Sequence, residues 1–138
     1  MPNSINPLMY MTIYKLQEEL VLAHLLGDAT LAEDLQAEIE RRAKRNGRLK
    51  SERMAVSTRD LLDTPKTYIP TPSTRELMRK ENQPIYNDMV RCLQNKQIDV
   101  ATVYLDELER RAERNGRPKT VRLAQQARRT FQRYTGDF

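Results

Sequence analysis

The sequence predicts an all-α fold: two tandem pseudo-repeats of about three short helices each, joined by a proline-rich linker. Three observations carry this prediction. Helix formers such as Leu, Ala, Glu, Gln and Arg dominate, Gly occurs only 4 times in 138 residues, and no stretch alternates apolar and polar over strand length. Apolar residues recur instead at spacings of three and four. Finally, residues 38–48 read EIERRAKRNGR and residues 107–117 read ELERRAERNGR, identical at nine of eleven positions at an offset of 69. The exceptions are Ile39 against Leu108 and Lys44 against Glu113.

The same offset extends in both directions. It pairs Lys50 with Lys119, Arg53 with Arg122, Ala55 with Ala124 and Arg59 with Arg128, and upstream Ala32 with Ala101 and Val21 with Val90. The repeated unit is therefore longer than one helix, which predicts a first unit over residues 1–62, a linker over 63–73 and a second unit over 74–138.

In the first unit Asn6-Pro7 is a good helix start, because Asn caps free N–H groups and Pro suits the first helical position. Met9, Ile13, Leu16, Leu20 and Ala23 mark the buried face, and Gly27 stops the helix. Asp28 or Thr30 caps the next helix, whose apolar stripe is Leu31, Leu35, Ile39 and Ala43 and whose stop is Asn46-Gly47. A shorter helix follows over about 52–62. Pro65, Pro70 and Pro72 among Thr and Ser predict a stiff linker. Ser73-x-x-Glu76 has capping-box form and opens the second unit, in which Pro84 kinks or restarts the helix through Ile85, Met89, Val90 and Leu93. Ala101, Tyr104, Leu105, Leu108 and Ala112 form the next stripe, Asn115-Gly116 its stop, and a last helix runs over about 120–134. The turns Gly27-Asp28-x-x-x-Ala32 and Ile98-Asp99-x-Ala101 share a few positions with tetratricopeptide helix pairs. They lack the Trp, Tyr and Pro markers of that pattern, so no family is assigned.

Composition bounds the rest. Hydrophobic residues make up 38% and charged residues 31%. That is lean in core residues, yet too apolar for a disordered chain. Cys92 is the only cysteine, which excludes an internal disulfide and a thiolate zinc site. The N-terminus lacks the basic-then-apolar order of a signal peptide. The longest apolar run, Leu20 to Leu26, is broken by His24 and falls short of the roughly 20 residues that span a bilayer. These features predict an intracellular, cytoplasmic protein with no membrane partner.

Charge is unevenly spread. Residues 1–69 hold ten Lys/Arg and ten Asp/Glu, whereas residues 70–138 hold fourteen and nine, and so carry the whole net charge of +5. Residues 114–136 contain Arg114, Arg117, Lys119, Arg122, Arg128, Arg129 and Arg133 and no acid. The first unit has Arg41, Arg42, Lys44, Arg45, Arg48, Lys50 and Arg53 against Glu52 alone. Part of this is ordinary helix chemistry. Glu38 precedes Arg41 and Arg42 by three and four residues, as Glu107 precedes Arg110 and Arg111, and cations suit helix C-termini. Arg42 and Arg111 also lie beside the apolar stripe, where their stems can pack. Arg45 and Arg114 lack an acid one turn earlier, and Arg48 and Arg117 lie beyond the helix stops. Arg122, Arg129 and Arg133 fall within about 40° on a helix, opposite Leu123, Ala127, Phe131 and Tyr134, with Gln126 expected beside the arginines. Arg in place of Lys favours phosphate or carboxylate ligands. Gly116-Arg117-Pro118 has the core of a minor-groove hook, but Leu49 replaces the proline in the first copy and a helix stop accounts for the glycine.

Catalytic signals are weak. His24, the only histidine, lies in an apolar helix, and no glycine-rich phosphate loop or nucleophile elbow occurs. The expected function is non-enzymatic, without cofactor or metal. Duplicated arginine-rich helix ends, comprising Arg41, Arg45, Arg48, Arg110, Arg114, Arg117, Lys119, Arg122, Arg129 and Arg133, would bind an anionic partner, most readily nucleic acid or a nucleoprotein. The alternative is a protein–protein module, such as an adaptor, a virion component or a small inhibitor, docking on an acidic protein surface, with Tyr10, Tyr14 and Tyr86 as interface candidates.

Overall fold

The computed structural model describes residues 7–63 and 67–136. The expected cap Asn6 and the linker residue Pro65 lie outside the described residues, as does the side chain of Met9. Among the described residues the chain is all-helical, with seven α-helices, one 3-10 turn and no strand. No helix is long and apolar enough to cross a membrane. The chain divides into two compact units, Met1–Asp63 and Thr64–Phe138.

The first unit contains a 3-10 turn, Pro7–Tyr10, then α1 (Ile13–Leu25), α2 (Ala29–Asn46) and α3 (Leu49–Asp63). The helix expected to start at Asn6-Pro7 begins later, because extended Thr12 accepts a hydrogen bond from the Lys15 N–H at 3.1 Å and so acts as its cap. Asp28, rather than Thr30, caps α2 by accepting from the Leu31 N–H at 3.1 Å. Gly47 ends α2 at φ 62°, a left-handed conformation that glycine adopts without strain.

Leu16, Leu20, Val21, Leu35, Ile39 and Leu61 are buried and form the core of this unit. Each such side chain contributes about 1.5–3 kcal/mol on burial. Leu31 was expected in the α2 stripe, but it is 42% exposed while its neighbour Ala32 is buried. It lies about a quarter-turn off the line of Ala32, Leu35, Ile39 and Ala43.

Among its described residues the second unit has four helices where about three were expected: α4 (Thr74–Arg79), α5 (Asn82–Gln94), α6 (Ile98–Asn115) and α7 (Pro118–Thr135). The extended residues Lys80 and Glu81 separate α4 from α5, and Pro84 sits in the first turn of α5, where no intrahelical N–H is required. The capping box is present, with Ser73 Oγ accepting from the Glu76 N–H at 3.2 Å and Glu76 Oε1 accepting from the Ser73 N–H at 3.3 Å. Ile85, Met89, Val90, Leu93, Leu105 and Leu108 are buried core residues. Tyr86, considered above as an interface residue, is also fully buried, with its hydroxyl 3.3 Å from Thr130 Oγ1.

Residues 67–73 have no regular structure, yet the first of them are fastened to the α5–α6 turn. Gln97 accepts from the Ile69 N–H at 3.0 Å and donates to the Ile69 carbonyl at 2.7 Å, and Asn95 donates to the Thr67 carbonyl.

Cys92 is buried on α5, and burial together with the nearby Asp88 pushes its thiol up to about 12. At pH 8 only about one molecule in ten thousand would then carry the thiolate. A disulfide reagent should therefore modify Cys92 no faster than the protein unfolds. Immediate, stoichiometric labelling of the native protein would contradict this burial.

Candidate functional site

The arginines of the two eleven-residue segments fall into two groups. The first is bound within the fold. Glu38 is buried on α2 and accepts from Arg41 Nη2 at 2.6 Å and from Arg42 Nε at 2.8 Å. Arg42, its side chain only 12% exposed, also donates through Nη2 to the Leu8 carbonyl at 2.7 Å. One buried carboxylate thus holds an arginine that ties the 3-10 turn to α2.

In the second unit buried Glu107 accepts from Arg110 and from Arg111 Nε, the latter at 2.7 Å. Arg111 reaches the carbonyls of Leu77 at 2.9 Å and Lys80 at 2.8 Å, together with Asn82 Oδ1 at 2.9 Å. It therefore holds α4 against the start of α6's neighbour α5. Buried charges persist only when paired and hydrogen-bonded, and these are.

Two further arginines join consecutive helices. Arg59 of α3 pairs with Glu33 at 3.0 Å and Glu40 at 3.3 Å on α2, while Arg128 of α7 donates through Nε to Glu109 of α6 at 2.8 Å. The Asn46 and Asn115 side chains each accept from the N–H two residues on, Arg48 and Arg117, at 2.9 Å. The pairs of Glu38 and Glu107 follow the expected i,i+3 and i,i+4 spacing, whereas the burial of both carboxylates and the inter-helix pairs of Glu40 and Glu109 were not anticipated from the sequence. Their conservation across the offset, together with that of Arg59 and Arg128, was the available signal.

Desolvation raises the Glu38 carboxyl, but the hydrogen bonds and charges of Arg41 and Arg42 together hold it below its ordinary value of 4.5. Hydrogen bonding from Gln36 and Arg59 likewise lowers Glu40 against its own desolvation. A carboxyl lowered by folding contributes stability that is complete above its unfolded pKa and is lost as pH falls through its folded pKa. Stability should therefore decline below about pH 4.5, and less steeply in Glu38→Gln. Unfolding midpoints measured at several acidic pH values check this. Identical pH dependence in the two proteins would contradict it.

The second group of arginines projects into solvent. Arg45, Arg48, Arg114, Arg117 and Lys119 are exposed, and among the described residues no salt bridge engages them. They sit at the α2–α3 and α6–α7 corners, around Gly47 and Gly116, both left-handed. Arg45 and Arg114 are in the last turns of their helices, where the dipole favours a cation. Arg48, Arg117 and Lys119 instead stand at the starts of α3 and α7, where the dipole opposes a cation by about 0.3–1 kcal/mol. Helix stability therefore does not account for these three.

No known protein family, curated protein or solved structure matches this chain.

The other expected site residues divide the same way. Arg41 and Arg110 are held by Glu38 and Glu107, leaving their side chains 45% and 60% exposed. Arg122, Arg129 and Arg133 are exposed on α7. Gln126, expected beside them, is buried and donates to the Tyr86 hydroxyl at 3.2 Å. Gly116 ends α6 and Pro118 opens α7, so both residues of the hook-like tripeptide have roles at helix ends. A groove of about 690 Å³ lies between α6 and α7, lined by Glu109, Ala112, Glu113, Val121, Ala124 and Arg129 beside the Arg128–Glu109 pair. Among the described residues no group of His, Cys, Asp and Glu is arranged to hold a metal. Of the tyrosines, Tyr10 is 76% exposed and Tyr14 accepts from Lys50 Nζ at 2.6 Å.

Proposed function

We propose that the chain is a non-enzymatic basic module that binds an anionic partner, nucleic acid or a nucleoprotein, through its α2–α3 and α6–α7 corners. The observation that carries this reading is the placement of Arg48, Arg117 and Lys119 at helix starts, with no salt bridge to them among the described residues and an opposing dipole. A bound phosphate removes that opposition. It would meet guanidinium groups and the free N–H groups of a helix start at one place.

We read the two units as copies of one design. Several parallels support this. α1 and α5 both have 13 residues, α2 and α6 both have 18, and each pair starts 69 residues apart. The Arg42–Leu8 and Arg111–Leu77 bonds obey the same offset. Two similar anion sites on one chain suit a ligand with a repeating charge.

Binding to a short DNA duplex and to RNA at low salt tests the reading. Because Glu38 already holds Arg41, replacing Arg122, Arg129 and Arg133 by alanine should weaken binding more than replacing Arg41, Arg45 and Arg48. Equal losses would shift the interface towards the corners alone. The second reading, docking on the acidic surface of a protein, is favoured by Leu49 and Val56, which are 61% and 71% exposed seven residues apart on α3 beside Arg53. It would take first place if neither nucleic acid bound.

A further inference from the structure

The α1–α2 turn of the first unit and the α5–α6 turn of the second share one backbone course but not one covering. Asp28 lies at φ −86°, ψ 78° and Gln97 at φ −91°, ψ 69°. Each follows a residue of positive φ, Gly27 at 81° and Lys96 at 64°. In the second unit Gln97 makes both hydrogen bonds that a neighbouring strand would make to Ile69, and Asn95 holds Thr67. An extended segment of the chain thus straps this turn, and Val100 beneath the start of α6 is 8% exposed.

The first unit has no such strap among its described residues. Asp28, itself exposed, caps Leu31, and the apolar residues there lie open: Leu26 is 66% exposed and Leu31 is 42% exposed. Leu26 and Leu31 stand where the strapped turn has Asn95 and Val100. The charge at the two turns also differs. Asp28 and Asp34 flank the open turn with no Lys or Arg between Leu25 and Gln36 in sequence, Glu33 being paired with Arg59 of α3, whereas Lys96 lies in the strapped one.

We propose that the α1–α2 turn is a docking site for an extended segment of a partner polypeptide, carrying a bulky apolar residue next to a lysine or arginine. The apolar side chain covers Leu26 and Leu31, and the cation faces Asp28 and Asp34. The segment is held at the helix turn by one apolar and one charged contact, which give its specificity. The proposal rests on the correspondence between the two turns. It is independent of the ligand at the arginine corners, which lie at the other end of α2.

The test uses the full chain and a synthetic peptide with the chain's own strap sequence, Lys-Thr-Tyr-Ile-Pro-Thr, followed by two-dimensional NMR and anisotropy. Shifts in the amides of residues 24–34 are expected. Binding should weaken roughly tenfold or more in the Leu26→Asn, Leu31→Ser double variant. Both residues are exposed, so that variant should keep the wild-type circular dichroism. A peptide with Glu in place of Lys should bind more weakly, and Asp28→Gln, which supplies the carboxamide of the strapped turn, should bind the original peptide at least as well. No shifts in 24–34, shifts confined to 95–100, or unchanged affinity in the double variant would overturn the proposal.

Discussion

Replacing Glu107 by alanine is expected to destabilise the protein by about 3–5 kcal/mol, the usual cost of removing one partner from a buried charge pair. Glu107 is buried and receives two arginines, of which Arg111 is itself largely enclosed, with its side chain 12% exposed. Without the carboxylate, the Arg111 guanidinium keeps only its bonds to Leu77, Lys80 and Asn82 and remains a half-buried, uncompensated charge. Arg110→Ala should cost under about 1 kcal/mol, because that side chain is 60% exposed and its pair is screened by water. Urea denaturation of the two variants compares them directly. Similar losses would mean that the carboxylate is not the anchor described here. Glu38→Ala should repeat the pattern in the first unit.

The second large effect concerns binding. Replacing Arg45, Arg48, Arg114 and Arg117 together by alanine should reduce affinity for a DNA duplex by about 2–4 kcal/mol, roughly 30- to 1,000-fold, counting each exposed charged contact at about 0.5–1 kcal/mol. Folding stability should change little. Two of the four occupy helix starts, where losing the charge removes a dipole penalty, and the other two give up a similar dipole gain. A large fall in stability would mean that these arginines hold the fold together. Arg41→Ala with Arg110→Ala should alter binding far less, since Glu38 and Glu107 already occupy those guanidinium groups.

Much of the fold was legible because its signals are local. The helix stops at Gly47 and Gly116 and the Ser73–Glu76 capping box depend on residues within one turn of each other, and each appears where its residues predict it. Where the expectation failed, a competing local interaction decided the matter. Thr12 caps a new helix at Ile13 where periodicity ran on from Pro7, and the extended pair Lys80–Glu81 divides the helices on either side of it. The candidate site was less legible. Spacing alone shows that Glu38 can reach Arg41 and Arg42. It does not show that the carboxylate is buried, or that Arg42 continues on to a carbonyl 34 residues away in sequence. Gln126 and Tyr86 illustrate the same limit. Gln126 was expected beside the surface arginines from its helix face and Tyr86 was an interface candidate that suited the core equally well, and both are consumed by a polar contact inside the second unit.

The central claim is that phosphate engages the arginine corners, and the salt dependence of binding tests it most directly. Each phosphate contact releases condensed counterion, so log K should fall with log salt by about 0.9 per contact on duplex DNA. Three to six contacts predict a slope between about −3 and −5 over roughly 50–200 mM salt. The Arg45, Arg48, Arg114 and Arg117 variant should flatten that slope by about 0.9 for each of the four that contacts phosphate, and by a similar amount on unrelated DNA sequences. A protein interface with an apolar centre would respond less steeply, because only its rim charges are screened. No detectable binding at low salt, or a slope that the four substitutions leave unchanged, would contradict the claim.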